Sequence, residues 1–298
     1  MRSPYWRLIC FFLLLVVPAV IGEFYVRSLP NPAKSKHAFL QEHSTEIETL
    51  VLGSSHTYYG INPFLLGEHA FSAAMSSQTL RYDDYILHAY PFPQLKTIIL
   101  PISDFSFYEE LEATTSWFVA SRYRLYMSCN IHPRLSVYDW EITAFPSYIE
   151  KLKTLWQPLR MKWSNVGQGL EYTLNNRPHV WDNGKERASS NSYTDFSSAI
   201  MIQPYLEHIA QTADKNDIQL LLLTTPLSKT YRKYQNQLQV KDMMQRVDDL
   251  MNKYSCIRYL DLSSDERFVD TDFYDSDHLN RIGADKMTQI VATYLHGC

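Results

Sequence analysis

Four stretches of this sequence are apolar without alternation: IETLVLG at 47–53, LKTIILPIS at 95–103, IQLLLLTTP at 218–226 and IRYLDLS at 257–263. A strand with one face in water alternates apolar and polar residues, whereas a strand covered on both faces does not. Between these runs, SAIMIQPYLEHIAQTADKND (198–217), QVKDMMQRVDDLMNKY (239–254) and NRIGADKMTQIVATYL (280–295) carry helical spacing. Residues 62–93 read as a turn, a short strand and a helix. Strands alternating with helices predict an α/β fold, a three-layer parallel sheet with helices on both faces. From Phe105 to about Thr194 the alternation lapses into a segment holding Trp117, Trp140, Trp156, Trp163 and Trp181. It reads as a helical insertion capping one end of the sheet.

The N-terminus adds a second constraint. Between Arg7 and Glu23 the run LICFFLLLVVPAVIG (Leu8–Gly22) is uncharged, and Tyr5, Trp6, Phe24 and Tyr25 flank it as interface anchors. Residues 1–26 are expected to be an uncleaved signal anchor, with a cleaved signal peptide as the rival. Residues 27–45, with Pro30 and Pro32 and several charges, read as a linker, and 46–298 as the folded domain carrying the insertion at about 105–194. Either reading of the N-terminus sends that domain out of the cytosol. A chain of 298 residues that is 45% hydrophobic and 20% charged is globular, and a net charge of −4 offers no basic stripe for nucleic acid. The cysteines Cys10, Cys129, Cys256 and Cys298 show no C-x-x-C spacing, which excludes zinc ribbons and thioredoxin-like redox sites.

In an open α/β sheet the ligand sits beyond the carboxyl ends of the strands. The first strand ends in VLGSSH (Val51–His56), where a glycine turn followed by serine can present a nucleophile beside free helix N–H groups. A base must come from elsewhere. YDSDHLNRIGADKM (Tyr274–Met287) offers Asp275 and His278 as D-x-x-H just before the last helix, spaced so that the carboxylate can hold the imidazole. His88, His132 and His208 have no such setting. Asp272, Asp275 and Asp277 also cluster as for a paired-carboxylate hydrolase, but no matching carboxylate stands at another strand end.

The two motifs together resemble the SGNH (GDSL-type) hydrolase superfamily. The DHLN..GA form is similar to its membrane-anchored cell-envelope members, such as the D-alanyl transfer protein and the exopolysaccharide acetyltransferases. The resemblance implies a flavodoxin-like sheet, Ser55 as nucleophile, His278 as general base and Asp275 as its orienting acid, with Asp277 a competitor. It implies Ser54 in place of the family's Asp, and oxyanion donors from the backbone of Ala73 or Ala74 and from Ser103. The family's G-x-N-D block reads here as Pro101, Ser103 and Asp104, so the usual Asn donor is replaced; losing one such donor costs about 2.7–4 kcal/mol. The implied chemistry is serine-dependent acyl transfer or ester hydrolysis on a cell-envelope polysaccharide or acylated glycan. It needs no cofactor or metal, and a membrane protein delivers the acyl group. The alternative is an inactive SGNH-like domain that binds glycan or scaffolds an envelope-assembly complex.

Overall fold

A computed structural model describes residues 4–113, 117–129, 131, 139–157 and 160–296; His132 and Cys298 fall outside these ranges. The strands are β1 (Thr49–Val51), β2 (Ala70–Ser72), β3 (Thr97–Pro101), β4 (Gln219–Thr224) and β5 (Ile257–Asp261). They form one parallel sheet in the order β2-β1-β3-β4-β5, the doubly wound, flavodoxin-like order.

The helices are α1 (Pro4–Ser28), α2 (Pro32–His43), α3 (Ser55–Gly60), α4 (Leu80–Ala89), α5 (Trp117–Met127), α6 (Phe145–Leu152), α7 (Gly184–Ser190), α8 (Ala199–Lys215), α9 (Lys229–Tyr234), α10 (Gln237–Lys253) and α11 (Arg281–His296). Alternate strand residues feed two cores. Leu50, Ile98, Leu100, Leu220 and Leu222 pack with Leu40 of α2, Ile86 of α4, Leu206 and Ile209 of α8 and Val247 of α10. Val51, Ile99, Leu221 and Leu223 pack instead with Met287 and Val291 of α11. Both faces are thus dry, which is why the strands carry no polar alternation. Cutting one of these leucines to alanine costs about 2–5 kcal/mol.

The segment expected to be a linker is largely helix. Asn31 caps α2, its side chain accepting the Lys34 N–H at 2.9 Å with Pro32 at the first helical position, and Ala33 and Leu40 are buried. Lys36 is also buried, its ammonium donating to the carbonyls of Ser72 and Gly167. Burial holds its pKa well below the usual lysine value. Between β3 and β4 the chain forms α5, α6, α7 and α8, the first three within the insertion. α1 is long and apolar enough to cross a membrane.

Candidate active site

The chain leaves β1 and turns at Gly53, whose φ of +103° suits glycine. A Cβ there would also lie 2.1 Å from the Pro101 ring, so the two strand ends approach only because residue 53 has none. The Gly53 N–H donates to Asp83 Oδ1 at 2.6 Å, and Gln78 Nε2 donates to the same oxygen at 2.6 Å. Thr57 Oγ1 donates back to the Leu52 carbonyl at 2.6 Å. These bonds fix the corner, and α3 begins with Ser55. The Ser55 hydroxyl stands 2.7 Å from His278 Nε2.

His278 lies in a closed loop. Phe273 and Leu279 form an antiparallel bridge, and the Tyr274 N–H donates to the His278 carbonyl at 2.8 Å. Asp275 Oδ1 accepts the backbone N–H groups of Asp277 and His278 at 3.1 and 2.9 Å, then His278 Nδ1 at 2.9 Å. One carboxylate therefore pins both the turn and the imidazole, leaving Nε2 for Ser55. The rest of the motif is structural. Asn280 Oδ1 caps α11 through the Ile282 and Gly283 N–H groups, and a Cβ on Gly283 would press 2.3 Å from the Asp272 carbonyl.

A second histidine lies beneath the first. His56 stacks on His278 with ring centroids 4.9 Å apart and 16° between planes. Its Nε2 is 3.4 Å from Asp277 Oδ2, and its Nδ1 is 3.3 Å from Ser54 Oγ. Asp277 also lies 3.4 Å from His278 Nδ1 and receives two bonds from Arg187, at 2.9 and 2.6 Å. Arg187 sits on α7, at the end of the insertion. Asn183, at the N-cap position of α7, accepts the Ser276 hydroxyl at 2.9 Å through its side-chain oxygen. The insertion thus clamps the histidine loop from outside. It also supplies Tyr172, stacked between Tyr59 (3.7 Å) and Tyr274 (3.8 Å) and set edge-on to His278 at 5.5 Å.

The charges sort the two rings. Burial alone lowers the pKa of His278, but the carboxylates of Asp277 and Asp275 outweigh it and push the value up to about 9. His56 moves down: burial dominates, Asp277 opposes it, and charged His278 works with burial. Burial also opposes ionisation of Asp277, yet His278, His56 and Arg187 hold it well below the usual carboxylate range. At neutral pH the lower ring is neutral and the upper one is charged. Asp83, buried under the corner, is pushed up to about 7 by desolvation despite its two hydrogen bonds.

Of the residues singled out in the sequence, Ser55, His278 and Asp275 converge. Ala73 does not serve as expected: its N–H is given to the Val51 carbonyl at 2.8 Å, because β2 pairs with β1 up to that point. Ala74 is packed with Tyr58 and Tyr59. Ser103 gives its N–H to Ser106 Oγ at 2.9 Å, and its own hydroxyl meets His56 Nδ1 at 3.5 Å. It lines, with His56, Thr224, Tyr231 and Tyr259, a cavity of about 160 Å³ beyond the ends of β3, β4 and β5. Asp104 is buried beside it and raised to about 6 by desolvation. Asp272 is bound by Lys286 and the Val269 N–H, which takes it out of any carboxylate pair.

The sequence reading passed over His56, Arg187, Tyr172 and Asp83. Only His56, next to the nucleophile, carried a local signal. His56, Asp277 and His278 could geometrically gather around a cation, but Arg187 already neutralises Asp277 and Asp275 holds His278 Nδ1, so the cluster suits a metal poorly. A separate group, Asp84, His88 and His208, lies between α4 and α8, with the two rings stacked at 4.0 Å.

A family model described as "Protein of unknown function (DUF1574)" matches residues 103–294. Among solved structures, the chain is similar to a candidate platelet activating factor from Streptococcus pneumoniae, with TM-score 0.45 and 10% identity over 97% of this chain and 98% of that one. It is also similar to a candidate acylhydrolase from Bacteroides fragilis NCTC 9343, with TM-score 0.41 and 10% identity over 90% and 99%. No curated protein matches the sequence.

Proposed function

The chain belongs to the DUF1574 family, whose model covers more than half of it, and we propose that it performs serine-dependent acyl transfer or ester hydrolysis on a cell-envelope glycan, held outside the cytosol by α1. The observation that carries this reading is the 2.7 Å contact of Ser55 Oγ with His278 Nε2, backed by Asp275 on Nδ1. Ser55 Oγ attacks the acyl carbonyl as its proton passes to His278 Nε2. The tetrahedral oxyanion collapses, the carbon–oxygen bond to the alcohol breaks, and that alkoxide takes the proton from the imidazolium. Water or a sugar hydroxyl then attacks the Ser55 ester by the same route in reverse. The Ser55 backbone N–H, at the first position of α3 and so without an intrahelical acceptor, is the oxyanion donor in this reading.

Tyr274, the half-buried end ring of the Tyr59–Tyr172–Tyr274 stack beside His278, supports a sugar as substrate or acceptor, since pyranose faces pack on aromatic rings. A membrane protein delivering the acyl group fits a transferase tethered by α1. A second reading, a glycan-binding or scaffolding domain without catalysis, draws support from the engaged Ala73 N–H and the charged state of His278.

Labelling with a fluorophosphonate distinguishes the two. The catalytic reading expects covalent modification of the wild type at pH 9, lost in Ser55→Ala. A folded wild-type protein that stays unlabelled overturns it in favour of the scaffold.

A further inference from the structure

α1 is seated on the body before it ends. A Cβ at Gly22 would lie 2.1 Å from Tyr148 Oη, and that hydroxyl donates to the Ala19 carbonyl at 3.4 Å. Tyr25 meets Thr154 at 2.9 Å, and the Glu23 carboxylate accepts the N–H groups of Glu141 and Ile142 at 2.9 and 3.0 Å. The partner of α1 here is α6 with the turns around it. A helix rises about 1.5 Å per residue, so Tyr5 to Phe24 spans roughly 28 Å, close to the ~30 Å of a bilayer's hydrocarbon. Ala19 and Gly22 then fall just inside the outer boundary, and α6 is docked at that depth.

α6 and the turn after it carry an apolar stripe that is mostly exposed among the described residues. Phe145, Ile149, Leu152 and Trp156 follow at i, i+4, i+7 and i+11. Leu152 lies near Gly22, whereas Phe145 is 59% exposed and Trp156 78% exposed. On α1, Ile21 and Phe24, on either side of the Gly22 contact, are both exposed. Glu150 and Lys153, also exposed, pair with each other on the same segment. From Phe145 to Lys162 the chain carries Lys151, Lys153, Arg160 and Lys162, of which Lys151 pairs with Glu141, Lys153 with Glu150 and Lys162 with Glu171.

We propose that α6 and the turn after it, through Trp156, form a second membrane contact: a foot lying in the boundary between headgroups and acyl chains beside α1. This rests on the reading of α1 as a span. The occupant is a lipid surface because the stripe continues the apolar surface of α1 at the same depth. Trp and Phe with flanking lysines are the composition of an interfacial helix, whose apolar face sinks about 5–10 Å.

The test uses the full chain in nanodiscs of phosphatidylethanolamine and phosphatidylglycerol. p-Benzoylphenylalanine is introduced in place of Trp156, Phe12 or Lys241 (an exposed residue of α10), and lipid adducts are counted by mass spectrometry after illumination. Adducts at positions 156 and 12, each at least tenfold above position 241, support the foot. Adducts at 12 with none at 156 overturn it and leave the span intact. Absence at both overturns foot and span together. Crosslinking of position 156 to a second copy of the chain also overturns it, by assigning the stripe to self-association.

Discussion

The corner after β1 and the loop before α11 each place one histidine in the site, and the two rings differ in charge although both are buried against the same Asp277. His56 has only that shared carboxylate, already engaged twice by Arg187, so desolvation decides and the ring stays neutral. His278 has Asp275 to itself as well, and its proton is held to about pH 9. Burial alone does not set the protonation of an imidazole; the number of carboxylates it does not share does.

The largest test of the contrast removes the rings. His278→Ala is expected to lower kcat/KM by about 10⁶-fold and Asp275→Asn by about 10⁴-fold, the losses for the corresponding triad members. His56→Phe, which keeps a flat ring in the stack, should cost far less. Equal losses would mean that both rings are catalytic.

Next comes the counter-charge. Arg187→Met strands Asp277 and should lower unfolding free energy by about 3 kcal/mol, the low end for a broken buried pair because Arg187 is one-third exposed. Chemical denaturation measures it. Adding Asp277→Asn should restore most of the loss, because both members of the pair are then uncharged.

The pH profiles sharpen the comparison further. His278 must be neutral to accept the Ser55 proton, so kcat/KM should rise with pH through an apparent value near 9. Stability runs the other way. A raised pKa stabilises fully below the ordinary 6.5 and loses that contribution as pH climbs through about 9. The wild-type melting temperature should therefore fall more steeply between pH 6.5 and 9.5 than that of His278→Ala. In the Asp277→Asn/Arg187→Met double variant, the kinetic midpoint should move towards acid by about one unit, a tenfold rate gain at pH 7. An unmoved midpoint would show that Asp277 does not set the charge of His278.

The smallest effect concerns the corner. Asp83→Asn keeps an oxygen for the Gly53 and Gln78 donors and should be near neutral, whereas Asp83→Ala strands the Gly53 N–H and should cost about 1–3 kcal/mol.

These contrasts also mark what the sequence could reveal. β1, β3, β4 and β5 were legible because unbroken Leu and Ile runs have no other stable home than a two-sided sheet. Ser55, Asp275 and His278 were legible because each motif is local and its spacing carries its geometry. The Asp277–Arg187 pair was not, since it joins residues 90 positions apart through an insertion without periodic pattern. Ala73 failed as an expected donor because strand pairing decides where its N–H goes, and pairing is a property of the sheet. α2 was mistaken for a linker because its prolines and charges look solvated. The Asn31–Pro32 start was a readable helix signal, but a lysine whose ammonium sits on two carbonyls in the core has no signature in composition.

That lysine bears on where the proposed chemistry can take place. Lys36 rivets α2 to the body, and only Leu29, Pro30 and Asn31 separate α2 from α1. With α1 in a bilayer there is no leash: the serine rides at one fixed altitude and cannot sweep a volume. On the proposed acyl transfer, acceptors would then have to be brought into that thin shell, which would select chains rooted in the same membrane over polymers drifting beyond it.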